Sequence, residues 1–151
     1  MSAPATWALV MNGTRARVLR GLEDGNGKDP IELLSRAPST HLRDVMADKP
    51  GRSFASEGGG RRSAMELGSD PIRRDMQDFA GEVADLLETH RRAGDFQRLA
   101  IFADPHMLGI LRAEFPATLW ETVFLDMPMN IVSLPERALR ERVLDYIHTK
   151  T

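Results

Sequence analysis

Two short, uninterrupted apolar runs constrain the fold most: Trp7-Ala-Leu-Val-Met11 and Leu99-Ala-Ile-Phe-Ala103. Each is too short for an ordinary helix and apolar at every position, as a strand is when both faces of its sheet are covered. A chain that buries such strands must supply helices to cover them, so the class is α/β.

The remaining segments supply the partners. Asn12-Gly13 follows the first run and predicts a tight hairpin with φ > 0 at its centres. Arg15 to Leu22 reads as a second strand, with Ala16, Val18 and Leu22 on one face and Arg20 interrupting it. Glu23 to Pro30 is acidic and Gly-rich, hence a loop, and Ile31 to Ala37 is a third strand. Asp70-Pro71 opens a long helix, with Ser69 or Asp70 as cap and Pro71 in its first turn. Ile72, Met76, Phe79, Val83, Leu86, Leu87 and His90 then form one buried stripe. Arg91 and Arg92 suit the negative end of the dipole, and Gly94 terminates the helix.

After the Leu99–Ala103 strand, Asp104-Pro105 caps a second helix carrying Met107, Leu108, Ile110, Leu111 and Phe115. Val123 to Met127 is a fifth strand. Ser133 and Glu136 have capping-box spacing and start a final helix with Leu139, Val143, Tyr146 and Ile147 inward. The order β-β-β-α-β-α-β-α predicts one domain over residues 1–151: a mixed five-stranded sheet with flanking helices, the layout of a ribonuclease-H-like domain.

Composition closes off several classes. The 151 residues can bury about two-thirds of the unfolded surface, so no covalent staple is needed. No Cys is present, which excludes disulfides, thiol nucleophiles and thiolate metal sites and fits a reducing compartment. Met1 to Thr6 has no basic character, Trp7–Met11 is too short for a signal sequence, and no stretch approaches the roughly 18 apolar residues of a membrane span. A cytoplasmic protein with no membrane association is the expectation. The formal charge of −2 argues neither for nor against nucleic acid.

Pro38 to Ser69 breaks the pattern, with five glycines, two prolines and little apolar periodicity. A long aperiodic segment inside a compact domain is commonly either functional or disordered. In order, this stretch and the helix start after it carry Asp48-Lys-Pro-Gly-Arg-Ser-Phe54, Gly58-Gly-Gly60 with Arg61 and Arg62, Ala64-Met65-Glu66, and Asp70-Pro71. Upstream stands Asn12-Gly-Thr-Arg-Ala-Arg17. These motifs, in this order and over essentially the whole chain, resemble the bacterial family called "protein required for attachment to host cells".

That family is in turn similar to the middle domain of archaeal and eukaryotic peptide-chain release factors and of Pelota. The resemblance implies a release-factor-like fold and a loop that works at the ribosome. Release factors place Gly-Gly-Gln before a long helix, where the glycines admit the peptidyl-tRNA ester and the Gln positions water. Gly58-Gly59-Gly60-Arg61 stands in the comparable place, and no Gln follows the glycines. The departure points away from ester hydrolysis and leaves docking as the implied role.

Local charge agrees with docking. Arg36 to Arg74 holds eight Lys and Arg against five Asp and Glu, net +3, which leaves −5 on the remainder. A basic segment on an acidic body steers toward phosphate, and backbone N–H groups in a Gly run can bind anions. The candidate phosphate or RNA contacts are Lys49, Arg52, Gly58, Gly59, Gly60, Arg61 and Arg62. The alternative is a solvated surface loop. The run lacks Walker-loop spacing, and Ser53, Ser56 and Ser63 lack a nucleophile elbow.

Carboxylates at strand ends would serve metal-dependent hydrolysis, so Asp104 and Asp126, with Asn12, are the residues to inspect. Asp104 is equally explained as a helix cap, and Asp126 as a surface residue. The four histidines show no metal-ligand spacing, and His41, in the loop, is the one to test. No cofactor and no metal is expected. The expected partner is RNA or the ribosome. The alternatives are a protein partner or a second copy acting indirectly on attachment, or an ester or phosphodiester substrate.

Overall fold

Thr6–Met11 forms β1, buried along its whole length, and it pairs on both edges. The computed structural model describes residues 3–24, 28–36 and 70–150. Arg15–Arg20 (β2) runs antiparallel to β1, and Lys28–Leu34 (β3) antiparallel to β2. Pro71–Arg92 (α1) crosses to Arg98–Ala103 (β4), which lies parallel to β1 with Leu9 opposite Ile101. Pro105–Glu114 (α2) and Ala117–Trp120 (α3) lead to Val123–Pro128 (β5), parallel to β4, and Glu136–Lys150 (α4) follows. The sheet order is β3-β2-β1-β4-β5.

Strand alternation divides the core in two. Trp7, Leu9 and Met11 of β1, with Leu99, Ile101 and Ala103 of β4, pack against α1, α2 and α3. Ala8 and Val10, with Ala100 and Phe102, face α4 through Leu139, Val143 and Ile147. Both central strands are therefore covered on both faces, which is why their sequences are apolar without alternation.

The helix starts follow their capping residues. Asp70 accepts from the N–H groups of Ile72 (3.1 Å) and Arg73 (3.2 Å), with Pro71 in the first turn. Its buried stripe is Met76, Phe79, Ala80, Val83, Ala84 and Leu87, with Ile72 and Leu86 partly buried beside it. His90, placed in that stripe by its spacing, is 27% exposed and hydrogen-bonds Asp95 instead.

Several expectations are corrected. The Asn12-Gly13 turn has no residue with positive φ. Asn12 Oδ1 holds it instead, accepting from the N–H groups of Thr14 (3.0 Å) and Arg15 (2.9 Å). A side chain that mimics a backbone turn removes the need for left-handed centres. Leu22 does not share a face with Ala16 and Val18: Gly21, at φ 70, breaks the alternation and turns Leu22 into the α4 side. β3 begins at Lys28 and ends at Leu34, earlier than Ile31 to Ala37, because an edge strand tolerates Pro30, whose missing donor can face outward. The short α3, opened by Pro116, adds an element to the expected order. Ser133 does not cap α4, which starts after Pro135, whose carbonyl accepts from the Leu139 N–H at 2.8 Å.

Candidate functional site

The ends of the parallel strands release their polar residues at one end of the sheet. Asn12, Gly13 and Thr14 after β1, Asp104 and His106 after β4, Asn130 after β5 and Met76 of α1 line a cavity of about 310 Å³. Most of its polar groups already hold the backbone. Asn12 Oδ1 closes the β1–β2 turn, also accepting from Thr14 Oγ1 at 3.2 Å. Asp104 Oδ1 accepts from the Met107 N–H at 2.9 Å, and the Asp104 carbonyl from Leu108 at 2.8 Å. Asp104 therefore caps α2, and its carboxylate is partly spent.

Asp104 and Asp126 do not converge. Asp126 lies inside β5, in register with Ile101, and pairs with Arg112 of α2 at 3.0 Å. Among the described residues no group of three or more His, Asp or Glu is arranged to hold a metal ion. The strand-end carboxylates thus form no array for two-metal cleavage.

The segment with most of the predicted contacts opens at this same end. Ser35 donates its N–H to the Thr14 carbonyl (2.9 Å), so β3 leaves the sheet beside the cavity. Asp70, where the chain returns, starts the helix whose Met76 lines it. His41, Lys49, Arg52, Gly58, Gly59, Gly60, Arg61 and Arg62 lie between these points, outside the described residues.

Two features were not anticipated from sequence. Arg17 is 3% exposed on the α4 side of β2, and its NH1 donates to the carbonyls of Val132 (3.1 Å) and Leu134 (2.6 Å). Its Nε lies 3.3 Å from Glu32 without hydrogen-bond geometry. It pins the β5–α4 connection to the sheet. The second is a knot joining α1 to α3. Glu88 accepts from Arg91 (2.7 and 3.0 Å) and from Thr118 Oγ1 (2.8 Å). The Arg91 bonds hold the Glu88 carboxyl below its ordinary value of 4.5, against the opposing pull of burial, and the same bonds raise Arg91. In sequence, the Glu88–Arg91 spacing on one helix face was the available signal.

Fold and site together define an α/β protein whose parallel strands end on a small polar cavity, bracketed by the two ends of a basic, Gly-rich segment. The family model described as "Protein required for attachment to host cells" matches residues 7–143, and the chain belongs to that family. That span runs from the second residue of β1 into α4. No curated protein matches the chain. Among the described residues no helix is long and apolar enough to cross a membrane.

Proposed function

We propose that this family member is an RNA- or ribosome-associated binding protein of the cytoplasm. In this reading Lys49, Arg52, Arg61 and Arg62 meet phosphate while Gly58, Gly59 and Gly60 let the backbone approach. One observation carries it. Ser35 and Asp70, which bracket residues 36–69 with their six Lys and Arg against four Asp and Glu, both lie at the end of the sheet where Asn12, Asp104 and Asn130 line the cavity. A basic segment presented at one end of an acidic body concentrates its field on one docking face.

The sheet order β3-β2-β1-β4-β5, antiparallel in the opening meander and parallel from β1 through β5, supports the ribonuclease-H-like reading. The likeness to the release-factor middle domain rests on that layout and on a Gly-rich segment immediately before a long capped helix. The missing Gln and the capping duty of Asp104 favour binding over turnover.

The test is filter binding of a structured RNA across a salt series, with Arg61→Ala/Arg62→Ala beside the parent. Two lost phosphate contacts should reduce the slope of log K against log salt by about 1.4 to 1.8. An unchanged affinity and slope would remove the segment from RNA binding.

A further inference from the structure

The opposite end of the sheet holds a second cavity, of about 410 Å³, where β1 and β3 begin and β2 ends. Five charged residues line its wall, Arg20, Lys28, Glu23, Asp24 and Asp95; Asp24 has a partner of its own, and no ion pair joins the other four to one another. The Arg20 guanidinium donates to the Asp29 carbonyl (2.9 and 2.6 Å) and sits 5.9 Å from the Trp7 ring centroid. Lys28 is exposed and has no ion-pair partner among the described residues. Glu23 accepts from the Thr6 N–H through Oε1 (2.9 Å) and has no cationic partner among them either. Asp95 spends Oδ2 on His90 Nδ1 (2.6 Å), which leaves Oδ1.

Trp7 adds a neutral donor. Its side chain is wedged between Phe96 (ring centroids 4.9 Å apart) and His90 (5.0 Å), and the residue is only 5% exposed. Its indole N–H meets no acceptor among the described residues. It is not sealed in the interior either, since Arg17 Nε is the one enclosed, unpartnered side-chain atom among them. Trp7 is one of the residues lining this cavity.

Arg20 and Lys28 line the same cavity as Glu23 and Asp95 without closing on them. An apolar ligand would strip water from these groups and return nothing. An anion alone would face Glu23 and Asp95, and a cation alone would face Arg20 and Lys28. A small zwitterion answers both signs at once. We propose that this cavity binds a free α-amino acid with an uncharged side chain. Its carboxylate lies toward Arg20, Lys28 and the Trp7 N–H, and its ammonium toward Glu23 and Asp95. With Asp24 engaged, Arg20 and Lys28 against Glu23 and Asp95 leave no excess of either sign to meet a charged side chain, which restricts the class.

Two-dimensional 15N–1H NMR tests this directly, because the chain has only two indole N–H groups, Trp7 and Trp120, assigned with Trp120→Phe. Each uncharged amino acid is titrated in turn to about 10 mM. The expected result is a saturable shift of the Trp7 signal by at least one of them. Its decarboxylated amine and its deaminated acid should each bind about tenfold more weakly, or worse. Lys28→Gln and Glu23→Gln should each weaken binding about tenfold. Lys28 is exposed, and Gln at 23 keeps the acceptor for Thr6, so both variants fold, as the rest of the spectrum will report. No saturable shift with any amino acid would overturn the proposal, as would binding that both variants leave intact. An amine or acid that binds as tightly as its parent would overturn the zwitterion assignment.

Discussion

Removing the Arg17 side chain should cost about 3 kcal/mol, far more than a typical charged residue on a strand. Arg17→Ala leaves the Val132 carbonyl, buried with its residue at 1% exposure, without its donor, and deprives the half-buried Leu134 carbonyl as well. An enclosed acceptor left unpaired costs about 1 to 3 kcal/mol, and Leu134, closer to water, lies at the low end. The lost packing of the buried stem adds about 0.8 kcal/mol per methylene. Relief from burying a guanidinium whose Nε has no hydrogen bond subtracts from the total. Arg17→Met separates these effects, since it refills the volume and removes the charge, and should cost about half as much. Urea unfolding followed by circular dichroism measures both, and Arg17→Ala should lower Tm by about 6 to 12 °C. A loss under about 0.5 kcal/mol for Arg17→Ala would refute the idea that Arg17 pins the β5–α4 connection. A Met variant less stable than the Ala variant would refute the division of the cost.

Two glycines should respond to alanine with opposite signs. A Cβ at Gly81, within α1, or at Gly94, at φ +80, meets nothing within 4 Å. Gly81→Ala should therefore stabilise by about 0.5 to 1 kcal/mol through helix propensity, and Gly94→Ala should destabilise by about 1 to 2 kcal/mol through backbone strain. Thermal melts of the two variants report the difference. Asp104→Ala should cost about 1 kcal/mol by uncapping α2, while Asp104→Asn, which keeps an acceptor for Met107, should stay within a few tenths; equal losses would deny the capping role. Glu88 supplies the pH dependence. Its folded-state pKa is depressed, so its contribution is present above its ordinary 4.5 and is lost as pH falls through the folded value. The stability gap between the parent and Glu88→Gln should be full at neutral pH and close on acidification below 4.5, as denaturant titrations at several pH values would show.

Legibility in the sequence followed the range of the forces involved. Asp70, Pro71, Asp104 and Pro105 marked their helices correctly, because a cap and the first turn are settled within four residues. The apolar runs of β1 and β4 were equally plain, since burial on both faces leaves no polar position. Leu22 was misplaced because one positive φ at Gly21 reverses alternation, and alternation alone carries no sign of it. Arg17 was not singled out because nothing local shows that α4 and the Val132 and Leu134 carbonyls cover that face; they arrive more than a hundred residues later. The short α3 has too few turns for periodicity to register. At the site, Asp104 as a cap was legible and the separation of Asp126 was not, because it depends on the β4–β5 register. The two cavities were invisible in sequence, since their walls come from elements far apart in the chain.

The central claim is that the net +3 segment docks on ribosomes or their RNA. Co-sedimentation with purified ribosomes at low and moderate salt, with Arg61→Ala/Arg62→Ala alongside, tests it most directly. The account predicts pelleting that weakens as salt rises and that the double variant loses, while its unfolding curve matches the parent. No pelleting at either salt, or pelleting that the double variant retains in full, would contradict it.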